Sequence, residues 1–130
     1  MSEQNIALVR AGYQAFGTGD TETLMDLFDD DIEWLQPGDS ALSGTYRGKT
    51  ELMGFLMRLG EKSPVITPHR FLADGDTVIV LSEASIGDEH GHSAEVFTVR
   101  NGKTVRVQVY GDTAMMERQY GRKPAGAPVG

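Results

Sequence analysis

Phe28-Asp29-Asp30-Asp31-Ile32-Glu33-Trp34, running through Pro37-Gly38 to Gly44-Thr45-Tyr46-Arg47-Gly48-Lys49, is the stretch whose reading decides the fold. It joins the end of a helix to a strand that begins in acid and stops at Pro-Gly, a strong break signal. A glycine-flanked loop follows, and Thr50 starts a further helix. Working outward, two short helices precede this stretch and four strand-like runs follow it. That order predicts an α+β domain in which three N-terminal helices pack on a curved, mostly antiparallel sheet. The expected shape is a cone-shaped α+β barrel of order ααβαββββ. Such a cone holds a small molecule, so function turns on which polar side chains point into it.

The elements rest on periodicity and punctuation. Ile6, Val9, Arg10, Tyr13 and Phe16 fall at helical spacing after the N-cap candidate Ser2. Asp20 or Thr21 caps a predicted helix over 22–28, whose Leu24, Leu27 and Phe28 form one stripe. Residues 29–31 read as an acidic turn, 32–36 as a short strand and 38–48 as a loop. Leu52, Phe55, Leu56 and Leu59 share one face of a predicted third helix over 49–59. Strands are expected over 65–73 (kinked at Pro68), 77–86, 93–100 and 104–110. Asn101-Gly102 is the strongest hairpin signal among their connections. One domain over 1–118 is expected, with a disordered tail over 119–130, most of it rich in Gly, Pro and Ala.

Bulk properties narrow the function classes. A chain of 130 residues fits one domain with one core. Its 39% apolar and 24% charged residues place it among soluble globular proteins. A formal charge of −7 argues against nucleic acid, which needs a basic face, and against an anionic membrane surface. With no cysteine, disulfides, thiolate nucleophiles and zinc-thiolate sites are excluded. No apolar run approaches the ~18 residues of a membrane span. Glu3 precedes the first apolar run, so a signal peptide is not expected and a cytoplasmic location is.

Several pieces together resemble a known family. These are Tyr13 to Phe16 with Gly19-Asp20, Leu27-Phe28 with Asp30-Asp31, Trp34 with Pro37-Gly38, Gly44 to Gly48, Asn101-Gly102-Lys103, and Tyr110 to Thr113. The chain resembles the nuclear transport factor 2-like superfamily, and within it the SnoaL-like and ketosteroid-isomerase-like proteins, over about residues 5 to 115. That resemblance implies the cone fold but not one activity, since the superfamily hosts isomerases, cyclases, hydrolases and non-catalytic members. Ketosteroid isomerases use an aspartate base at the end of the first strand, with an oxyanion hole of a tyrosine and a protonated aspartate. In this chain Gln36 stands at the base position, Gly12 (with Tyr13 beside it) at the tyrosine position, and Glu95 at the protonated-acid position. An amide cannot abstract a proton near neutral pH, so that mechanism is not expected. Asp112 is similar in position to an acid used by SnoaL-type cyclases.

Strand alternation sorts the remaining candidates. Ser93, Glu95, Phe97 and Val99 share one face. On the last strand Arg106, Gln108, Tyr110 and Asp112 share one face and Val105, Val107 and Val109 the other. The resemblance implies an acidic and aromatic cavity face and a second face that supports a homodimer. Glu95, Phe97, Gln108, Tyr110 and Asp112 are therefore placed inward, although an all-valine core face remains an alternative. Glu95, Asp112 and His69 are the candidate catalytic groups: a buried acid, a second acid, and a histidine able to shuttle protons. Each has a plainer role open to it, as an edge-strand acid, a helix cap and a structural histidine respectively. Tyr13, Phe16, Trp34, Tyr46 and Phe55 are candidate walls of the pocket or simply core. Gln36, on the same strand face as Trp34, is a candidate donor to a ligand carbonyl. Asp88-Glu89-His90-Gly91-His92 is read as a surface turn and not a metal site, and no metal or cofactor is expected. The preferred function is a cofactor-independent isomerase, cyclase or hydrolase acting on a small apolar carbonyl- or epoxide-bearing molecule. A non-catalytic binder of such a molecule and a vestigial dimerisation module remain alternatives.

Overall fold

The computed structural model describes residues 2–124. In chain order its elements are α1 (Ser2–Thr18), α2 (Thr21–Asp26), β1 (Phe28–Gln36), β2 (Gly44–Arg47), α3 (Gly48–Gly60), β3 (Val65–Asp74), β4 (Thr77–Ile86), β5 (Glu89–Arg100), β6 (Lys103–Tyr110) and α4 (Thr113–Tyr120). The six strands form one sheet in the order β2-β1-β6-β5-β4-β3. Only β1 against β6 is parallel; the other four pairings are antiparallel. The sheet curls around α1 and α3, giving the expected cone-shaped α+β fold. No helix among the described residues is long and apolar enough to cross a membrane.

Four expectations need correction, the first being the surface turn over 88–92, where Glu89 to His92 instead begin β5 and pair with β4. Residues 29–31 are not a turn but the start of β1, which carries a register shift between Phe28 and Glu33. The loop over 38–48 contains β2, because Gly44 to Arg47 pairs with β1 from Gln36 back to Glu33. Order also persists beyond 118. Gln119 and Tyr120 belong to α4, Arg122 bridges Ser40, and the Lys123 amide donates to the Asp39 carbonyl. Residues 125–130 lie outside the described residues.

Local chemistry explains the framework. Asp20 caps α2 by accepting from the Thr23 amide at 3.2 Å; the Thr23 hydroxyl first, and then this amide, hold its carboxyl below the usual range. Asn101 (φ 52°) and Gly102 (φ 74°) both take the left-handed backbone that a tight β5–β6 hairpin requires. Pro68 sits on the edge strand β3, where its missing N–H costs no pairing, and a register shift follows it. Ile32, Leu52, Phe55, Val78, Val80 and Val107 are essentially sealed from solvent between helices and sheet. Each contributes roughly 1.5–3 kcal/mol by burial.

Candidate active site

A cavity of about 160 Å³ lies between the inner face of the sheet and helices α1, α3 and α4. Tyr13 and Phe16 reach it from α1, Trp34 and Gln36 from the end of β1, and Leu56 and Leu59 from α3. Glu95 and Phe97 border it from β5, while Met115 and Met116 border it from α4. The loop after β1 is set for this. Ser43 Oγ donates to the Pro37 carbonyl at 2.7 Å and accepts from the Ser40 amide at 2.8 Å. Gly38 (φ 89°) lies so close to Thr113 that a Cβ there would meet the threonine Cβ at 2.8 Å. The end of β1 is thereby pressed against the start of α4, and Gln36 is held at the cavity.

Among the described residues, Glu95 is the one charged side chain that is buried. Alternation along β5 turns it inward with Ser93 and Phe97, and the helical stripe of α1 brings Tyr13 to meet it. The Tyr13 hydroxyl donates to Glu95 Oε1 at 2.5 Å, and Ser82 Oγ donates to the same oxygen at 2.8 Å. Ser93 Oγ stands 2.8 Å from Ser82 Oγ. Glu95 Oε2 is buried and has no partner, a state that costs about 1–3 kcal/mol for an unsatisfied polar group. Burial first, and then the charge and hydrogen bond of Glu95, push the Tyr13 phenol well above its ordinary value. Tyr13 is braced edge-on by Phe71 at 6.1 Å and Phe97 at 5.9 Å.

Gln36 is oriented by chemistry. The Trp34 indole Nε1, which can only donate, bonds Gln36 Oε1 at 3.1 Å. The amide oxygen is therefore committed, and the NH₂ group is left as the donor.

Asp112 also borders the cavity, but its Oδ1 caps α4 by accepting from the Met115 amide at 2.9 Å. Its close packing depends on Gly91, where a Cβ would meet Asp112 Cβ at 3.1 Å and Met115 Sδ at 2.7 Å.

The other expected site residues lie elsewhere. Val107 and Val109 face inward, whereas Gln108 and Tyr110 lie on the outer sheet face, with Tyr110 60% exposed. Two forces set this: burying the valines, and pairing Arg106 with Glu33 across the outer face at 3.3 Å. Asp112 escapes the alternation because β6 ends at Tyr110 and the chain turns into α4. His69 falls at the register shift beside Pro68 and turns to solvent, where its Nε2 meets Glu83 at 3.1 Å. Tyr46 and Phe55 stack on each other at 4.7 Å behind Trp34, backing the wall without bordering the cavity. The Tyr46 hydroxyl donates to the Leu42 carbonyl at 2.6 Å. Among the described residues, no group of three or more His, Asp or Glu is placed to hold a metal.

Ser82 was missed in the sequence. The signal was present: it continues the inward register of Val78 and Val80 as a polar residue in an apolar series. The methionines of α4 were missed for want of the helix.

Comparison with known proteins fits this geometry. Bal32a, from a soil-derived mobile gene cassette, is 26% identical with a TM-score of 0.84, over 93% of this chain and 98% of its own. A nuclear transport factor 2-like protein of Burkholderia xenovorans LB400 is 27% identical with a TM-score of 0.79, over 92% and 98%. TerC, solved co-crystallised with polyporic acid, is 25% identical with a TM-score of 0.78, over 88% and 96%. No curated protein matches the chain. The SnoaL-like domain matches residues 9–107, and the chain belongs to that family, within the nuclear transport factor 2-like fold.

Proposed function

We propose that the protein is an acid–base enzyme of the isomerase or cyclase kind, acting on a small, largely apolar, carbonyl-bearing molecule held in the cavity. Glu95 moves the proton. The observation that carries this reading is its carboxyl: buried at the cavity wall, fixed through Oε1 by two hydroxyls, with Oε2 unpartnered. A base held in place at a dry wall is the arrangement that general base catalysis exploits. Gln36 NH₂ hydrogen-bonds the substrate oxygen as negative charge develops there. Tyr13 and Ser82 are positioning residues, since their protons are directed at Glu95 and not at the cavity. A relative co-crystallised with polyporic acid supports small-molecule occupancy of this fold.

The test uses nitrobenzisoxazole, whose ring opens when a base removes one C–H proton. Wild type is expected to accelerate the opening and Glu95→Gln to lose the acceleration. Equal rates for the two would remove Glu95 from the role.

The protein is further proposed to pair as a homodimer through the outer sheet face, where Val65, Leu72, Leu81 and Tyr110 are exposed together with half-buried Ile79 and Val96. Sedimentation of wild type as a monomer at micromolar concentration would refute this.

A further inference from the structure

The protons around Glu95 all run one way. Tyr13 has one hydroxyl proton and gives it to Oε1; Ser82 has one and gives it to the same oxygen. Ser93 must then donate to Ser82 across their 2.8 Å contact. None of these three hydroxyls keeps a proton for a ligand oxygen. What this wall offers is an acceptor, Glu95 Oε2. The end of β1 offers the opposite. Gln36 has its oxygen taken by Trp34 and presents NH₂.

The sheet places these two groups in one row. Leu35 pairs with Gln108, so Gln36 comes level with Val109, and Val109 pairs with Glu95. Two strand spacings separate their backbones, roughly 10 Å, and both side chains border the same cavity. The cavity is partly open to solvent, and its volume of about 160 Å³ is close to the roughly 150 Å³ of an apolar cavity that takes up benzene. That volume takes one ring.

Resting on the site described above, we propose that the cavity selects a one-ring hydroxy-carbonyl compound, its hydroxyl directed to Glu95 and its conjugated carbonyl to Gln36. The ligand hydroxyl donates to Glu95 Oε2, and the conjugated carbonyl accepts from the Gln36 NH₂ group; recognition needs no bond made or broken. A compound with the carbonyl alone leaves the Glu95 acceptor unanswered, which distinguishes this site from one built to donate to an oxyanion.

Calorimetric titration with four probes tests this: para-hydroxyacetophenone, para-methylacetophenone, para-ethylphenol and ethylbenzene. Wild type is expected to bind para-hydroxyacetophenone about tenfold or more tightly than para-methylacetophenone, the size of one charge-assisted hydrogen bond. It should favour the same probe over para-ethylphenol by about threefold to tenfold. Glu95→Gln should erase the hydroxyl preference and keep the carbonyl preference; Gln36→Leu should do the reverse. Equal affinity of wild type for the first two probes overturns the proposal, even if neither variant folds. Nitrobenzisoxazole opening keeps the two ideas apart. Glu95-dependent opening without hydroxyl preference sinks only the ligand class, and hydroxyl preference without opening sinks only the catalytic reading.

Discussion

Two acids border one cavity and do different work. Asp112 lies where β6 ends, and it spends an oxygen on the first turn of α4. Glu95 lies in the middle of a strand, paired on one side with Val80 and on the other with Val109, so nothing local claims its carboxyl. Two side-chain hydroxyls hold one oxygen and leave the other free. An acid at an element's end tends to be consumed by the backbone; an acid inside a strand can only be held by side chains.

The largest effect expected of this contrast is on rate. Glu95→Gln should lower nitrobenzisoxazole opening about 100-fold or more, as loss of a general base does, while Asp112→Asn should leave it within about tenfold. Comparable losses for both would break the contrast.

Next comes alkaline stability. Tyr13 has its folded pKa raised above the ordinary 10.0, so the stability linked to its proton is complete below that value and is lost as pH rises beyond it. The unfolded chain releases the proton first, at up to about 1.4 kcal/mol per pH unit. Denaturant midpoints measured above pH 10 should therefore fall less steeply for Tyr13→Phe than for wild type.

Gly91→Ala should cost about 1–3 kcal/mol, because the new methyl must displace Asp112 Cβ and Met115 Sδ. A thermal midpoint equal to wild type would show that α4 yields freely. Smallest is the cap itself: Asp112→Ala should cost about 1 kcal/mol, and Asp112→Asn clearly less, by urea unfolding.

Much of this was legible in the chain, and the failures have physical causes. The helix stripes follow from periodicity, the Asn101-Gly102 hairpin from turn chemistry, and the inward Glu95 from the family resemblance. β2 was lost because Gly44 to Arg47 is too short to show alternation and takes its identity from pairing with β1. The face of β6 was misread because alternation gives two faces and not which one is buried. The ion pair of Arg106 with Glu33, 73 positions away, helps decide it. His69 was misplaced because the register shift after Pro68 inverts the alternation counted through it. The Tyr13–Glu95 contact spans 82 positions, a distance no local pattern reports.

Trp34 is the chain's single tryptophan, and its indole N–H is tied to Gln36 at the cavity wall. The tryptophan fluorescence of the protein is thus emitted by one residue, next to the amide assigned to the ligand. A molecule entering the cavity will alter that emission directly, so occupancy can be followed by an unlabelled optical titration, with every other tryptophan signal absent by composition.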